Sequence, residues 1–105
     1  MGYMVAKAAL IAFSKHLAIE MAAYNILVNS IAPGSIRFPG GTWDKFALTQ
    51  PPLAVERFKE VNLPMGTFGW AEPVGDLVAY LASDRAGLLT GACINIDGGQ
   101  SKSLI

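Results

Sequence analysis

The sequence predicts an α/β fold built on a parallel sheet, and three observations lead there. A long alanine-rich amphiphilic segment opens the chain, short nearly continuous apolar runs lie near residues 26–31 and 92–96, and helical stretches separate those two runs. Strands that alternate with helices belong to parallel sheets. A strand buried on both faces reads as an unbroken apolar run rather than an alternating one.

The first helix is expected from about Met4 to Tyr24. It contains no Gly or Pro and is dominated by strong helix formers. At 100° per residue, Lys7 and Ser14 fall on one side with Lys15 nearby, while His16 and Glu20 fall opposite. Apolar surface flanks both polar stripes, so this helix is expected to bury two faces. Asn25 is a suitable stop. Ile26–Ile31 reads as the first strand, ended by Ala32-Pro33-Gly34.

A loop over 34–42 carries Gly34, Pro39, Gly40 and Gly41, and two shorter helices follow at Trp43–Leu48 and Leu53–Val61, divided by Pro51-Pro52. After a second loop from Pro64 to Ala71, Glu72-Pro73 opens a helix running to about Ser83. Gly91 leads into the second strand, Ala92–Ile96, and Asp97-Gly98-Gly99 turns out of it. Two strands make a poor sheet, and the first is expected to present an open edge.

Composition narrows the function classes. Apolar residues make up 52% before the 11 glycines are counted, and charged residues only 15%. Typical domains have about 45–50% apolar residues with glycine included and about 25% charged. A chain of 105 residues this poor in charge covers itself badly, so a partner subunit or further chain is expected to cover part of it. Net charge is zero and no basic run exists, which argues against nucleic-acid or anionic-membrane surfaces. Cys93 and His16 are each the only residue of their type, so neither a disulfide nor a metal cluster is expected. The Met4–Phe13 run is interrupted by Lys7 and is too short to span a bilayer. No signal-peptide pattern is visible, so the expected setting is the cytoplasm.

The residues best suited to chemistry are Tyr3 and Lys7, a Tyr-x-x-x-Lys spacing at a helix start. Residues four apart share a helical face, so phenol and ammonium can address one site. A free phenol titrates at about 10 and a neighbouring cation favours its phenolate, which suits the pair to proton exchange with an alcohol or carbonyl oxygen. By itself the spacing also describes many exposed helix pairs.

The context is more specific. Tyr3-Met4-Val5-Ala6-Lys7, Val28-Asn29-Ser30-Ile31-Ala32-Pro33-Gly34, Leu89-Thr90-Gly91 and Ile96-Asp97-Gly98-Gly99-Gln100 follow in that order. Together they resemble the short-chain dehydrogenase/reductase family, in its classical subgroup similar to 3-oxoacyl-carrier-protein reductases. The resemblance covers essentially the whole chain and matches the last two-fifths or so of a family member. It implies the C-terminal part of a Rossmann-like doubly wound parallel sheet, with two short parallel strands, flanking helices and no dinucleotide-binding half among residues 1–105. It implies an oxidoreductase using NAD or NADP on a carbonyl or secondary alcohol, assembled as a homo-oligomer, either dimer or tetramer.

Carried over by position, Tyr3 is the general acid/base. Lys7 holds the nicotinamide ribose hydroxyls and assists Tyr3. Pro33 and Gly34 turn the backbone toward the nicotinamide ring, and the main chain of Ile36 faces its carboxamide. Gly34 also ends a strand, where open α/β sheets place ligands.

Some features depart from the family pattern. Phe38 stands where many members have a threonine, so a hydroxyl contact to the cofactor is missing. The loop from Phe38 to Trp43 corresponds to the family's substrate-covering loop. The family's glycine-rich dinucleotide loop and its catalytic Ser and Asn have no counterpart here, since Gly40-Gly41 and Gly98-Gly99 lie in other contexts and Ser14 and Ser30 in other places. The 105 residues alone are therefore expected to be inactive, for want of a helix N-terminus to hold the pyrophosphate. The alternative is a non-catalytic truncated fragment that acts as an interaction module, pairing through its two-sided helix and its final strand. His16 with Glu20 reads as a surface or interface pair, Asp97 as a turn residue, and Trp43, Phe46, Phe68 and Trp70 as packing.

Overall fold

Alanine-rich sequence makes the first element long: in the computed structural model, which describes residues 1–103, helix α1 runs Gly2–Met21 and tightens into a 3₁₀ turn at Ala22–Tyr24. It starts two residues earlier than the sequence suggests. The stop is a Schellman-type end. Asn25 adopts the left-handed conformation (φ 57°), its N–H donates to the Ala22 carbonyl, and the Ile26 N–H reaches back to Met21. The remaining elements are β1 (Ser30–Pro33), α2 (Thr42–Thr49), α3 (Pro52–Asn62), α4 (Ala71–Leu81), a 3₁₀ turn at Asp84–Ala86 and β2 (Cys93–Ile96).

The two strands form one sheet and run parallel: Ser30 N–H donates to Ala92 O, and four residues on Gly34 N–H donates to Ile96 O. The first strand thus lies later than the apolar run Ile26–Ile31. The reason is what faces it. Before Ser30 one backbone bond remains, Gly91 N–H to Val28 O at 2.7 Å, and side chains make the other links: Thr90 Oγ1 accepts the Val28 N–H, while the Asn29 amide donates to Leu89 O and accepts the Ala92 N–H. Apolar composition marks the segment, but available backbone partners decide where a ladder begins. β1 is half-buried rather than covered on both faces.

The chain divides into two compact units, Met1–Ala32 with Leu77–Ile94, and Pro33–Asp76 with the residues from Asn95. In the first, Ala18 and Ala86 are the buried apolar residues. Gly91, at φ +73°, lies against α1; a Cβ there would sit 3.5 Å from that of Ala18 and 3.0 Å from Lys15 Nζ. The rest of α1 is open. Leu10, Ile11, Phe13 and Ile19 are exposed, so the expected burial of two faces is not met among the described residues. Both apolar stripes are present, but beyond Ala18 most of their large side chains are left uncovered by the other described segments.

The second unit has its own core. Val55 of α3, Leu63 and Phe68 are buried, with Trp43, Phe46, Ala47 and Phe58 packed against them. Ring centroids lie 4.8 Å apart for Trp43–Phe58, 5.6 Å for Trp43–Phe46 and 6.0 Å for Phe58–Phe68. Each such pair contributes about 0.5–1.5 kcal/mol beyond burial. Trp43, Phe46 and Phe68 are thus packing residues as expected, whereas half of Trp70 stays exposed. Pro52 sits at the first position of α3, where its missing N–H is harmless.

Candidate functional site

The helix start sets the geometry of the first pair. Tyr3 lies in the first turn of α1 and Lys7 one turn on, and Lys7 Nζ stands 5.5 Å from the Tyr3 ring centroid. That is within cation–π range. Tyr3 is 74% exposed, so its hydroxyl is open to a ligand. A phenol beside an ammonium, neither hydrogen-bonded within the described chain, is a donor set that fits ribose hydroxyls and a carbonyl oxygen. The structure thus brings Tyr3 and Lys7 together.

The second group, Pro33, Gly34 and Ile36, lies in the other unit. Gly34 cannot carry a side chain: a Cβ would sit 2.7 Å from Asp97 Cβ and 2.9 Å from Gln100 Oε1. Close approach of the chain leaving β2 is what requires glycine there. Gln100 Oε1 accepts the Ser35 N–H at 3.0 Å, and the Ile36 N–H turns back on Gly34 O. Ile36 also pairs with Gly69 in an isolated parallel bridge, formed by Gly69 N–H to Ser35 O and Arg37 N–H to Gly69 O. The N–H groups of residues 34–37 are therefore all engaged within the chain. What Ile36 offers a carboxamide is its carbonyl, an acceptor for the NH₂ group.

The sequence elements that carry the family resemblance also have structural roles. Thr90 and Asn29 stitch the segment before β1 to the segment before β2. Asp97 is the turn residue expected, its carboxylate accepting the Gly99 and Ser101 N–H groups at 2.9 Å each. His16 and Glu20 form an exposed pair at 3.1 Å.

One charged arrangement escapes sequence reading. Arg37 Nε donates to Asp44 Oδ1 at 3.0 Å, and Asp44 Oδ2 accepts the Gly40 N–H at 3.1 Å. The Gly40 N–H, then Arg37, hold the Asp44 carboxyl below the ordinary aspartate range. Asp44 is in the first turn of α2, where the helix dipole favours a carboxylate. Nothing periodic links positions 37, 40 and 44, so the sequence carries no signal for it. Arg37 and Asp44 border a groove of about 490 Å³ with Phe38, Lys59, Phe68 and Trp70. A smaller apolar cavity of about 190 Å³, lined by Leu63, Met65, Val74 and Ile96 among others, lies in the same unit.

Among the described residues no three His, Cys, Asp or Glu side chains are grouped to hold a metal, and no helix is long and apolar enough to cross a membrane.

A family model described as enoyl-(acyl carrier protein) reductase matches residues 1–101. The chain belongs to the short-chain dehydrogenase/reductase family. Family relatives include the 3-oxoacyl-(acyl-carrier-protein) reductase of Aquifex aeolicus, 39% identical over 92% of this chain and 36% of its own length. The 3beta-hydroxysteroid dehydrogenase 1 of Eggerthella lenta is 39% identical over 94% of the chain and 36% of its own length. Among solved family structures, L-sorbose reductase from Gluconobacter frateurii, complexed with NADPH and L-sorbose, superposes with a TM-score of 0.83 at 33% identity, over 97% of this chain and 41% of that one. A 4-hydroxyisoleucine dehydrogenase mutant complexed with NADH and succinate gives a TM-score of 0.81 at 36% identity, over 96% of this chain and 40% of that one. The chain thus spans a little over a third of the length of the curated relatives it matches. Membership establishes the Rossmann-type oxidoreductase family; the names of its members range over several substrates.

Proposed function

We propose that this chain is the Tyr–Lys-bearing portion of an NAD- or NADP-dependent oxidoreductase that interconverts a carbonyl and a secondary alcohol. The observation that carries the reading is the Tyr3–Lys7 pair, one helical turn apart, with an exposed phenol and an ammonium 5.5 Å from its ring. Relatives holding NADH or NADPH support the cofactor class. When bound, the nicotinamide supplies or takes up the hydride.

The chain's own residues handle the proton and the placement. In reduction Tyr3 Oη gives its proton to the carbonyl oxygen as the carbon gains the hydride, and in oxidation it removes the hydroxyl proton. Lys7 holds the ribose hydroxyls beside Tyr3. Pro33 and Gly34 shape the turn, and the Ile36 carbonyl accepts from the carboxamide. Residues 1–105 contain no glycine-rich phosphate loop, so by themselves they are inactive.

A hybrid tests this reading, with the complementary N-terminal portion of the Aquifex reductase joined ahead of this chain. Nicotinamide absorbance is followed against a panel of ketones and secondary alcohols. Turnover is expected from the hybrid, none from the 105-residue chain, and none above background from the Tyr3→Phe hybrid. Turnover that survives Tyr3→Phe would overturn the assignment of the acid/base.

A second reading rests on the exposed apolar surface of α1, including Phe13 and Ile19. On it, the chain is a module that pairs with a second copy, as dimer or tetramer, and Leu17→Asp breaks self-association measured by sedimentation while Tyr3→Phe does not.

A further inference from the structure

The groove bordered by Arg37, Phe38, Pro39, Asp44, Lys59 and Trp70 lies wholly within the second unit and takes no part in the proton chemistry proposed for Tyr3. Its charges are held in place. The Arg37 backbone is pinned through its N–H to Gly69 O at 2.9 Å. Its guanidinium is fixed through Nε by Asp44, itself anchored on the Gly40 N–H. Among the described residues no acceptor meets the two terminal nitrogens of Arg37, so one edge of the guanidinium fork is unused. Lys59 Nζ lies 5.7 Å from the Phe68 ring centroid and 3.2 Å from Glu56, a surface pair that is screened by solvent and leaves the ammonium able to act on a ligand.

Shape and charge select a ligand class. A guanidinium edge with two parallel donors matches a carboxylate or a phosphate. Two cations, Arg37 and Lys59, border the groove, each already beside one carboxylate (Asp44 and Glu56), so a dianion would face those carboxylates with its second charge unmatched. The apolar part is aromatic. Phe38 and Trp70 are each half exposed, and Gly41 gives the Phe38 ring its place, since a Cβ there would come within 2.8 Å of it. Phe38 stands where many family members carry a threonine, so at this position the chain offers a ring and not a hydroxyl.

We propose that this groove is a binding subsite for a small organic monocarboxylate with an apolar body, its carboxylate on the terminal nitrogens of Arg37 with Lys59 as the supporting cation. The subsite stands on the second unit alone. It extends the reductase reading, on which it would make the substrate a carbonyl or hydroxy compound bearing a carboxylate, and its test is binding, which fails or succeeds independently of turnover.

The test titrates the 105-residue chain at low ionic strength with benzoate, with benzamide as a neutral isostere and with inorganic phosphate, following Trp70 and the Arg37 and Gly69 amides by NMR. Benzoate is expected to bind about tenfold or more tighter than benzamide, and tighter than phosphate. Arg37→Gln should abolish that preference, and Arg37→Lys, which keeps the charge without the fork, should restore only part of it. Because Arg37 also secures the loop through Asp44, Lys59→Gln provides a second variant, at a half-buried position of α3 that makes no contact with Asp44. It is expected to weaken benzoate severalfold and leave benzamide unchanged. Equal binding of benzoate and benzamide, or a preference unmoved by Arg37→Gln and Lys59→Gln, overturns the proposal. Phosphate binding tighter than benzoate overturns the choice of carboxylate.

Discussion

The two units are built on opposite plans. The first carries Tyr3 and Lys7 on a twenty-residue helix, yet its buried apolar residues are two alanines, Ala18 and Ala86, while Leu10, Phe13 and Ile19 are exposed. The second carries four packed rings around Val55 and Leu63 and the groove with the clamped Arg37–Asp44 pair. A helix holds side chains four residues apart in register by its own hydrogen bonds, so the Tyr3–Lys7 geometry is set locally with little packing around it. A binding groove made from loops needs a core beneath it. Tryptophan and tyrosine divide in the same way: both tryptophans lie in the second unit and all three tyrosines in the first, so the two regions can be followed separately.

The largest expected effect falls on chemistry. Tyr3→Phe in the hybrid enzyme should lower kcat by about 10²–10⁴-fold and leave the tryptophan-monitored urea midpoint unchanged. A shifted midpoint would show that Tyr3 also acts structurally and would break the contrast.

Next comes the core of the second unit. Phe68→Ala removes a nearly buried ring from the aromatic cluster and should destabilise it by about 3–5 kcal/mol, read from tryptophan fluorescence in urea. A smaller loss, near 1 kcal/mol, would mean that the ring cluster repacks around the gap.

Gly91→Ala tests the thin packing of the first unit. The new methyl would be placed at φ +73° and within 3.0 Å of Lys15 Nζ. Lys15 can swing away, so the expected loss is the backbone term of about 1–2 kcal/mol, measured by tyrosine-region circular dichroism during melting.

The smallest effect concerns Asp44. Its pKa is lowered in the folded state, by the Gly40 N–H first and Arg37 second, so its stabilising contribution is present above the unfolded aspartate value and is lost as pH falls through the folded one. Urea midpoints taken at successively lower pH, below about 4, should fall less steeply in Asp44→Asn than in the natural chain. Parallel slopes would mean that the clamp on Arg37 survives protonation.

Much of the fold is legible in the residues. Helix starts and stops follow from Asn25, Pro52 and the alanine-rich run, each a local preference that needs nothing distant, and α2, α3 and α4 lie within two residues of where their sequences place them. The Tyr3–Lys7 pairing is equally local, since four residues on a helix fix a common face. The Schellman end at Asn25 and the turn made by Asp97 are of the same kind.

Other features depend on what approaches from far along the chain. Ile26–Asn29 has the composition of a strand, but the regular ladder begins at Ser30; before it Gly91 donates to Val28 O, and the Thr90 and Asn29 side chains make the other links. Composition points to uncovered apolar surface somewhere, but that α1 carries it is a matter of the fold, because a pattern shows which faces are apolar and not whether anything covers them. Gly34 looks like a turn glycine and is in fact required by Asp97 and Gln100 pressing against it. By itself the sequence determined the helices, their stops, the Tyr3–Lys7 pairing and the family, all set by interactions within a few residues or by motif order. Tertiary structure alone decided the strand register, the aromatic core and the Arg37–Asp44 groove. These rest on backbone partners, ring contacts and charges joined by loops whose path no periodicity encodes.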